Sequence, residues 1–115
     1  MSPSKFLEKL RERAVKIFMD IFILTELKKT SMSGYDVISR IHRKFDILVS
    51  SGTVYSLLYS LERQGLIQGV CDQRKRLYKL TEKGEGDIEA ITKANAEIQN
   101  FLRNILKLNA NQQSP

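Results

Sequence analysis

The stretch from Gly52 to Ile67, GTVYSLLYSLERQGLI, constrains the fold more than any other part of this chain. It sets Val54, Leu57, Leu58 and Leu61 at i, i+3, i+4 and i+7 spacing, so one face of a helix has to be buried. The opposite stripe is Gly52, Tyr55, Ser56, Tyr59 and Arg63, which combines a small residue, hydroxyls and a guanidinium. Groups of that kind bond phosphates and base edges, and with Ser51 and Thr53 at the helix start they form a candidate DNA-contacting surface. The basic stretch QRKRLYKLT follows from Gln73 to Thr81. Arg74, Lys75, Arg76 and Lys79 have no acid interleaved among them and are candidates to neutralise a phosphate backbone.

Around this pair of features the chain divides into further elements. A first helix is expected from an N-cap at Ser4 to about Lys29, with a break near Arg11 left open. Leu7, Leu10, Ala14, Ile17, Ile21 and Leu24 follow helical steps, and Phe18, Phe22 and Ile23 extend the apolar surface almost all round, so this helix needs partners on more than one side. Ser33 and Asp36 are spaced as a capping box and open a second helix with Val37, Ile38, Ile41 and Phe45 inward. Its outer face carries Arg40, Arg43 and Lys44, further candidates for the DNA backbone. Ser50 or Ser51 caps the third helix and Gly65 ends it. Two strands, about Leu66 to Cys71 and Lys75 to Leu80, make a hairpin joined by a tight connection at Asp72 to Arg74. Thr81 then caps a last helix predicted to run unbroken to Leu108.

In that last helix Ile88, Ile91, Asn95, Ile98, Leu102 and Ile105 step by three and four, an a/d seam with one polar residue at an a position. Such a seam needs another helix. A homodimer is expected, its interface formed by Leu7, Leu10, Ala14 and Ile17 together with Ile88, Ile91, Asn95, Ile98, Phe101, Leu102 and Ile105; packing of the two helices within one chain is the alternative. The 115 residues allow one compact reader with this extension. The expected division is 1–81 for a winged helix-turn-helix domain, 82–108 for a dimerisation helix and 109–115 for a disordered tail.

Charge follows the same division: residues 1–81 hold 15 Lys and Arg against 8 Asp and Glu, net +7, and residues 82–115 hold 4 against 5, net −1. The basic excess thus coincides with the reader. The single cysteine, Cys71, and the lack of a secretory signal pattern fit a reducing cytoplasm, and what Cys71 does is left open. The most apolar run, Ile17 to Leu24, is far shorter than the roughly 20 residues of a membrane span. One His and one Cys give no dedicated metal site, and no nucleophile–base pair, paired carboxylates or phosphate-cradling glycine loop points to an enzyme. No cofactor is expected.

The predicted fold class is mainly α with a small β-hairpin, a winged helix-turn-helix plus a long C-terminal helix. Within it the chain resembles the PadR family of transcriptional regulators, of the short form with a single C-terminal dimerisation helix. The resemblance rests on Ser33-Gly34-Tyr35-Asp36, on Gly52-Thr53-Val54-Tyr55 with Leu58, Leu61, Glu62, Gly65 and Leu66, and on Arg76 to Gly84, RLYKLTEKG. Ser56 stands where many members have proline, and the tip at Gln73-Arg74-Lys75 is short for the family. Drug-sensing members hold flat aromatics with tryptophan, and this chain has none. The resemblance implies a dimeric repressor of double-stranded DNA at an inverted-repeat operator, with the third helix in the major groove; whether a small-molecule inducer exists stays open. A winged-helix module that binds protein, or serves as a scaffold subunit, is the alternative.

Overall fold

The computed structural model describes residues 4–107. Helix α1 spans Lys5–Lys29, and the Ser4 hydroxyl caps it by accepting the Leu7 N–H at 3.0 Å. It runs straight through Arg11, whose guanidinium donates to the Phe45 carbonyl and so ties α1 to the end of the next helix. Only the second half of α1, at Met19, Ile23, Leu24 and Leu27, enters the core. Helix α2 (Gly34–Phe45) opens on the expected capping box: Asp36 N–H donates to the Ser33 hydroxyl and Ser33 N–H to the Asp36 carboxylate, both at 3.1 Å. Helix α3 (Ser51–Arg63) is capped by Ser50, and Gly65, with φ +78°, takes the left-handed conformation that terminates it.

Between α1 and α2 lies a strand that the sequence did not reveal, β1, of only two residues (Met32–Ser33). The hairpin pairs β2 (Ile67–Asp72) with β3 (Lys75–Leu80) in antiparallel register, Ile67 opposite Leu80 and Asp72 opposite Lys75. Its turn is only Gln73 and Arg74, both at positive φ (48° and 70°), as a tight two-residue hairpin requires. β1 pairs with β3 at Tyr78 and Leu77, so β3 is the central strand of three.

The expectation of one unbroken last helix is corrected. Helix α4 covers Glu82–Lys93 and α5 covers Asn95–Leu106, with Ala94 between them at φ −88°, ψ 9°. Ala94 N–H is shared between the Ala90 and Ile91 carbonyls, at 3.0 and 3.1 Å, a local tightening of the turn. No proline or glycine marks the spot. Leu108 and the tail 109–115 lie outside the described residues.

A close joint connects the end of α3 to the start of α4. Thr81 N–H donates to the Leu66 carbonyl at 3.1 Å, the Thr81 hydroxyl to the Gly65 carbonyl, and Lys83 Nζ to the Gln64 carbonyl at 3.0 Å. Gly84 sits so tightly there that an added Cβ would overlap the Leu66 carbonyl oxygen. The core gathers Val37 and Ile41 of α2, Val54, Leu58 and Leu61 of α3, Ile67 and Tyr78 of the hairpin and Ile88 of α4 around the second half of α1. Among the described residues no helix is long and apolar enough to cross a membrane.

Candidate nucleic-acid interface

The burial of α3 divides as its spacing predicts. Val54, Leu58 and Leu61 are at most 1% exposed, whereas Ser51, Gly52, Thr53, Tyr55, Ser56, Tyr59 and Arg63 all face outward. Two of these are partly engaged. The Thr53 hydroxyl lies 2.8 Å from that of Ser50 within the cap, and the Tyr55 ring rests on Gly34, where a Cβ would collide with it. Gly34 therefore leaves room for the Tyr55 ring between α2 and α3, and Tyr55 remains 45% exposed. Tyr59, 66% exposed, is plainly outward, with the Arg63 guanidinium 5.5 Å from its ring centroid. No carboxylate belongs to this stripe.

The basic side chains separate into two groups. Arg43, Lys44, Arg74, Lys75 and Lys79 are exposed and take part in no ion pair among the described residues. Arg40 and Arg76 are ion-paired within the chain, Arg76 with an acid on another element although none is interleaved in its own basic run. Arg40 pairs with Glu26, a buried carboxylate that also accepts from Lys29 Nζ at 2.9 Å. Burial pushes the Glu26 carboxyl up, but the hydrogen bonds from Lys29 and Arg40 outweigh it and hold it below the usual range. Arg76 donates through Nη2 to both carboxylate oxygens of Glu62, at 3.1 and 2.8 Å. Glu62 also accepts the Gly69 N–H at 3.0 Å, the main reason its carboxyl is held low. Glu62 and Gly69 were legible only as family-motif or strand residues, because partners 7 and 14 positions apart in sequence show no local pattern.

The residues expected to hold a second subunit are also divided. Ile88 is 2% exposed and belongs to the chain's own core, a correction of its place on an outward seam. Leu10, Ile91, Ile98 and Leu102 are half-buried, while Leu7, Ala14, Ile17, Asn95, Phe101 and Ile105 are exposed. Between α1 and α4–α5 runs a cavity of about 370 Å³ lined by Phe18, Ile21, Ile91, Ile98 and Leu102 among others. Cys71 is free and exposed on β2. Among the described residues no group of three or more His, Cys, Asp or Glu could hold a metal ion.

Three helices, a three-stranded sheet with a projecting hairpin and an outward third helix define a winged helix-turn-helix protein. The Transcriptional regulator PadR-like family model matches residues 23–90 of the 115. The chain belongs to this family. Among solved structures it is similar to a PadR-like transcriptional regulator from Bacillus cereus strain ATCC 14579, with a TM-score of 0.72 and 21% identity over 82% of this chain and 96% of that one. A PadR family transcription regulator from Clostridium difficile R20291 gives 0.68 and 22%, over 77% and 98%. Bacillus subtilis PadR in complex with operator DNA gives 0.55 and 24%, over 63% of this chain and 45% of that one. These likenesses bear on the fold. No curated protein matches the chain significantly.

Proposed function

We propose that this PadR-like regulator is a homodimeric repressor that binds double-stranded DNA at an inverted-repeat operator, with α3 in the major groove and the wing along the backbone. The observation that carries the reading is the outward stripe of α3. It is free of carboxylates and bears hydroxyls and Arg63, and the hairpin of the same domain carries Arg74, Lys75 and Lys79, cations with no ion pair among the described residues. The similarity to a PadR structure solved on operator DNA supports the same assignment.

Dimerisation is supported by apolar surface that one chain leaves uncovered. Ile17 is 67% exposed and Phe101 64%, and Leu7 and Phe18 on α1 and Ile105 on α5 are exposed as well. A second copy laying its last helix into the cavity beside Phe18, Ile98 and Leu102 would cover apolar surface of this kind. In this reading residues 4–81 are the reader and 82–106 the dimerisation element, and two readers would present their α3 helices about 34 to 36 Å apart, one turn of DNA. A reducing cytoplasm suits the exposed free thiol of Cys71.

The test is sedimentation mass at micromolar protein combined with selection of sites from a random duplex library. The wild type should be a dimer that enriches inverted repeats, and Ile98→Asp with Leu102→Asp should be a monomer without operator binding. A monomeric wild type, or a doubly substituted monomer that binds as tightly, refutes the dimer mechanism. Failure to retain any duplex at low salt favours the protein-binding alternative.

A further inference from the structure

Arg76, unlike its exposed and unpaired neighbours Arg74 and Lys75, is ion-paired to another element of the chain. Its side chain folds back across Gly69, where a Cβ would come within 2.5 Å of Nε and 2.6 Å of Cζ. Cζ then sits 5.6 Å from the centroid of the Tyr78 ring, and Nη2 reaches both oxygens of Glu62 at 3.1 and 2.8 Å. The same carboxylate accepts the Gly69 N–H at 3.0 Å. A single acid in the last turn of α3 therefore grips both strands of the hairpin, β2 by its backbone and β3 by a side chain. A side chain at position 69 would push the guanidinium out of this placement, which gives a glycine inside a strand a packing reason.

We propose that Glu62, Gly69 and Arg76 form a positioning clamp that sets the angle of the hairpin to α3, so that Arg74 and Lys75 reach phosphates while α3 lies in the groove. Arg76 acts through this geometry and is not itself a phosphate ligand. The clamp's role rests on the DNA-binding reading above. Charge and position predict opposite signs. Removing an acid from beside a DNA-facing surface, and releasing the arginine it neutralises, should tighten DNA binding if only charge matters. If the acid positions the wing, its removal weakens binding instead.

The experiment measures affinity for a random duplex over a salt series with the full chain, its Glu62→Ala, Arg76→Ala and doubly substituted forms. The clamp predicts that Glu62→Ala weakens binding by about tenfold, the scale of one charged hydrogen bond removed. It also predicts that Glu62→Ala lowers the slope of log K against log salt, by up to about 0.9 for each of Arg74 and Lys75 displaced. The double substitution should be no worse than either single one, because all three forms lack the same unit. Tighter binding by Glu62→Ala, with effects of the two substitutions that add, overturns the clamp and makes Arg76 a phosphate ligand. Hydrogen exchange at the Gly69 amide gives a readout without DNA: slow in the wild type and fast in Glu62→Ala supports the clamp, and equal rates overturn it. A wild type that binds no duplex while Gly69 still shows this contrast overturns the DNA-binding reading and the clamp's part in it, leaving only the mechanical joint.

Discussion

Gly84 and Gly86 lie two residues apart in α4, yet alanine should act on them with opposite signs. At Gly86 a Cβ meets nothing within 4 Å, so Gly86→Ala gains the helix preference of alanine over glycine, about 0.8 to 1 kcal/mol. At Gly84 the new carbon would overlap the Leu66 carbonyl oxygen and come within 3.0 Å of Leu80 Cδ2. The obstacle is backbone, so it cannot rotate aside. Relief requires the first turn of α4 to move off the end of α3, which breaks the Thr81 N–H to Leu66 bond at 3.1 Å and the Lys83 to Gln64 bond at 3.0 Å. Overpacking costs about 1 to 3 kcal/mol, each broken hydrogen bond about 0.5 to 1.5, and the helix gain offsets about 1. A net destabilisation of about 1 to 5 kcal/mol follows. The assay is urea unfolding followed by circular dichroism, with every variant at one protomer concentration so that any association contributes equally. If Gly84→Ala unfolds within about 1 kcal/mol of the wild type, or shares the sign of Gly86→Ala, the joint is not close-packed and the reasoning fails.

The two faces of α3 should separate in the same assay: Leu58→Ala, at a position with no exposure, should cost about 2 to 4 kcal/mol. Tyr59→Ala and Arg63→Ala should stay within about 0.5 kcal/mol while weakening duplex binding, and a stability drop at Tyr59 would invert the face assignment. Acid sensitivity has a defined window, because Asp36, Glu26 and Glu62 are all held below their ordinary values of 3.8 and 4.5 in the fold. A carboxyl lowered on folding contributes stability that is fully present above its unfolded value and is lost as pH falls through its folded one. The urea midpoint should therefore be flat down to about pH 5 and fall below it. Asp36→Asn, which removes a carboxylate held chiefly by the Ser33 N–H, should give a shallower fall, and an unchanged profile would exclude Asp36 as a contributor.

Local pattern made most of the fold legible in the chain itself. The capping box at Ser33 and Asp36, the Ser50 and Thr81 caps, the Gly65 terminus and the buried stripe of α3 all depend on residues close to one another along the chain. What stayed hidden depends on partners distant in sequence. Met32–Ser33 is too short to show a period of two and becomes a strand only because Tyr78 and Leu77 lie beside it. Arg76 looked like a free cation because its acid is 14 residues upstream on another element. Ile88 fitted an outward seam by spacing, but the close approach of α4 to α1 draws it into the core. The interruption at Ala94 has no sequence mark, since alanine is the best helix former and its neighbour Asn95 only turns its side chain to Gln99, at 2.9 Å. The α3 stripe was therefore readable as a surface, whereas the division of the cations into free and committed ones was not.

The short strand Met32–Ser33 has a mechanical consequence. Because it pairs with β3 at Leu77 and Tyr78, the hairpin is anchored on both sides at its base and on one side beyond. Residues Cys71 to Lys75 form the overhang of a cantilever whose backbone support ends at the Ser33–Leu77 pair and whose last side-chain tie is that of Arg76 to Glu62. Any bending of the wing against a curved surface is confined to that overhang, and the rung at Tyr78 stays with the core. Amide protons should report this as two tiers, lasting at Tyr78 and Leu80 and brief around the Gln73–Arg74 turn. Lengthening the turn would then extend the reach of the tip without disturbing the lever's root.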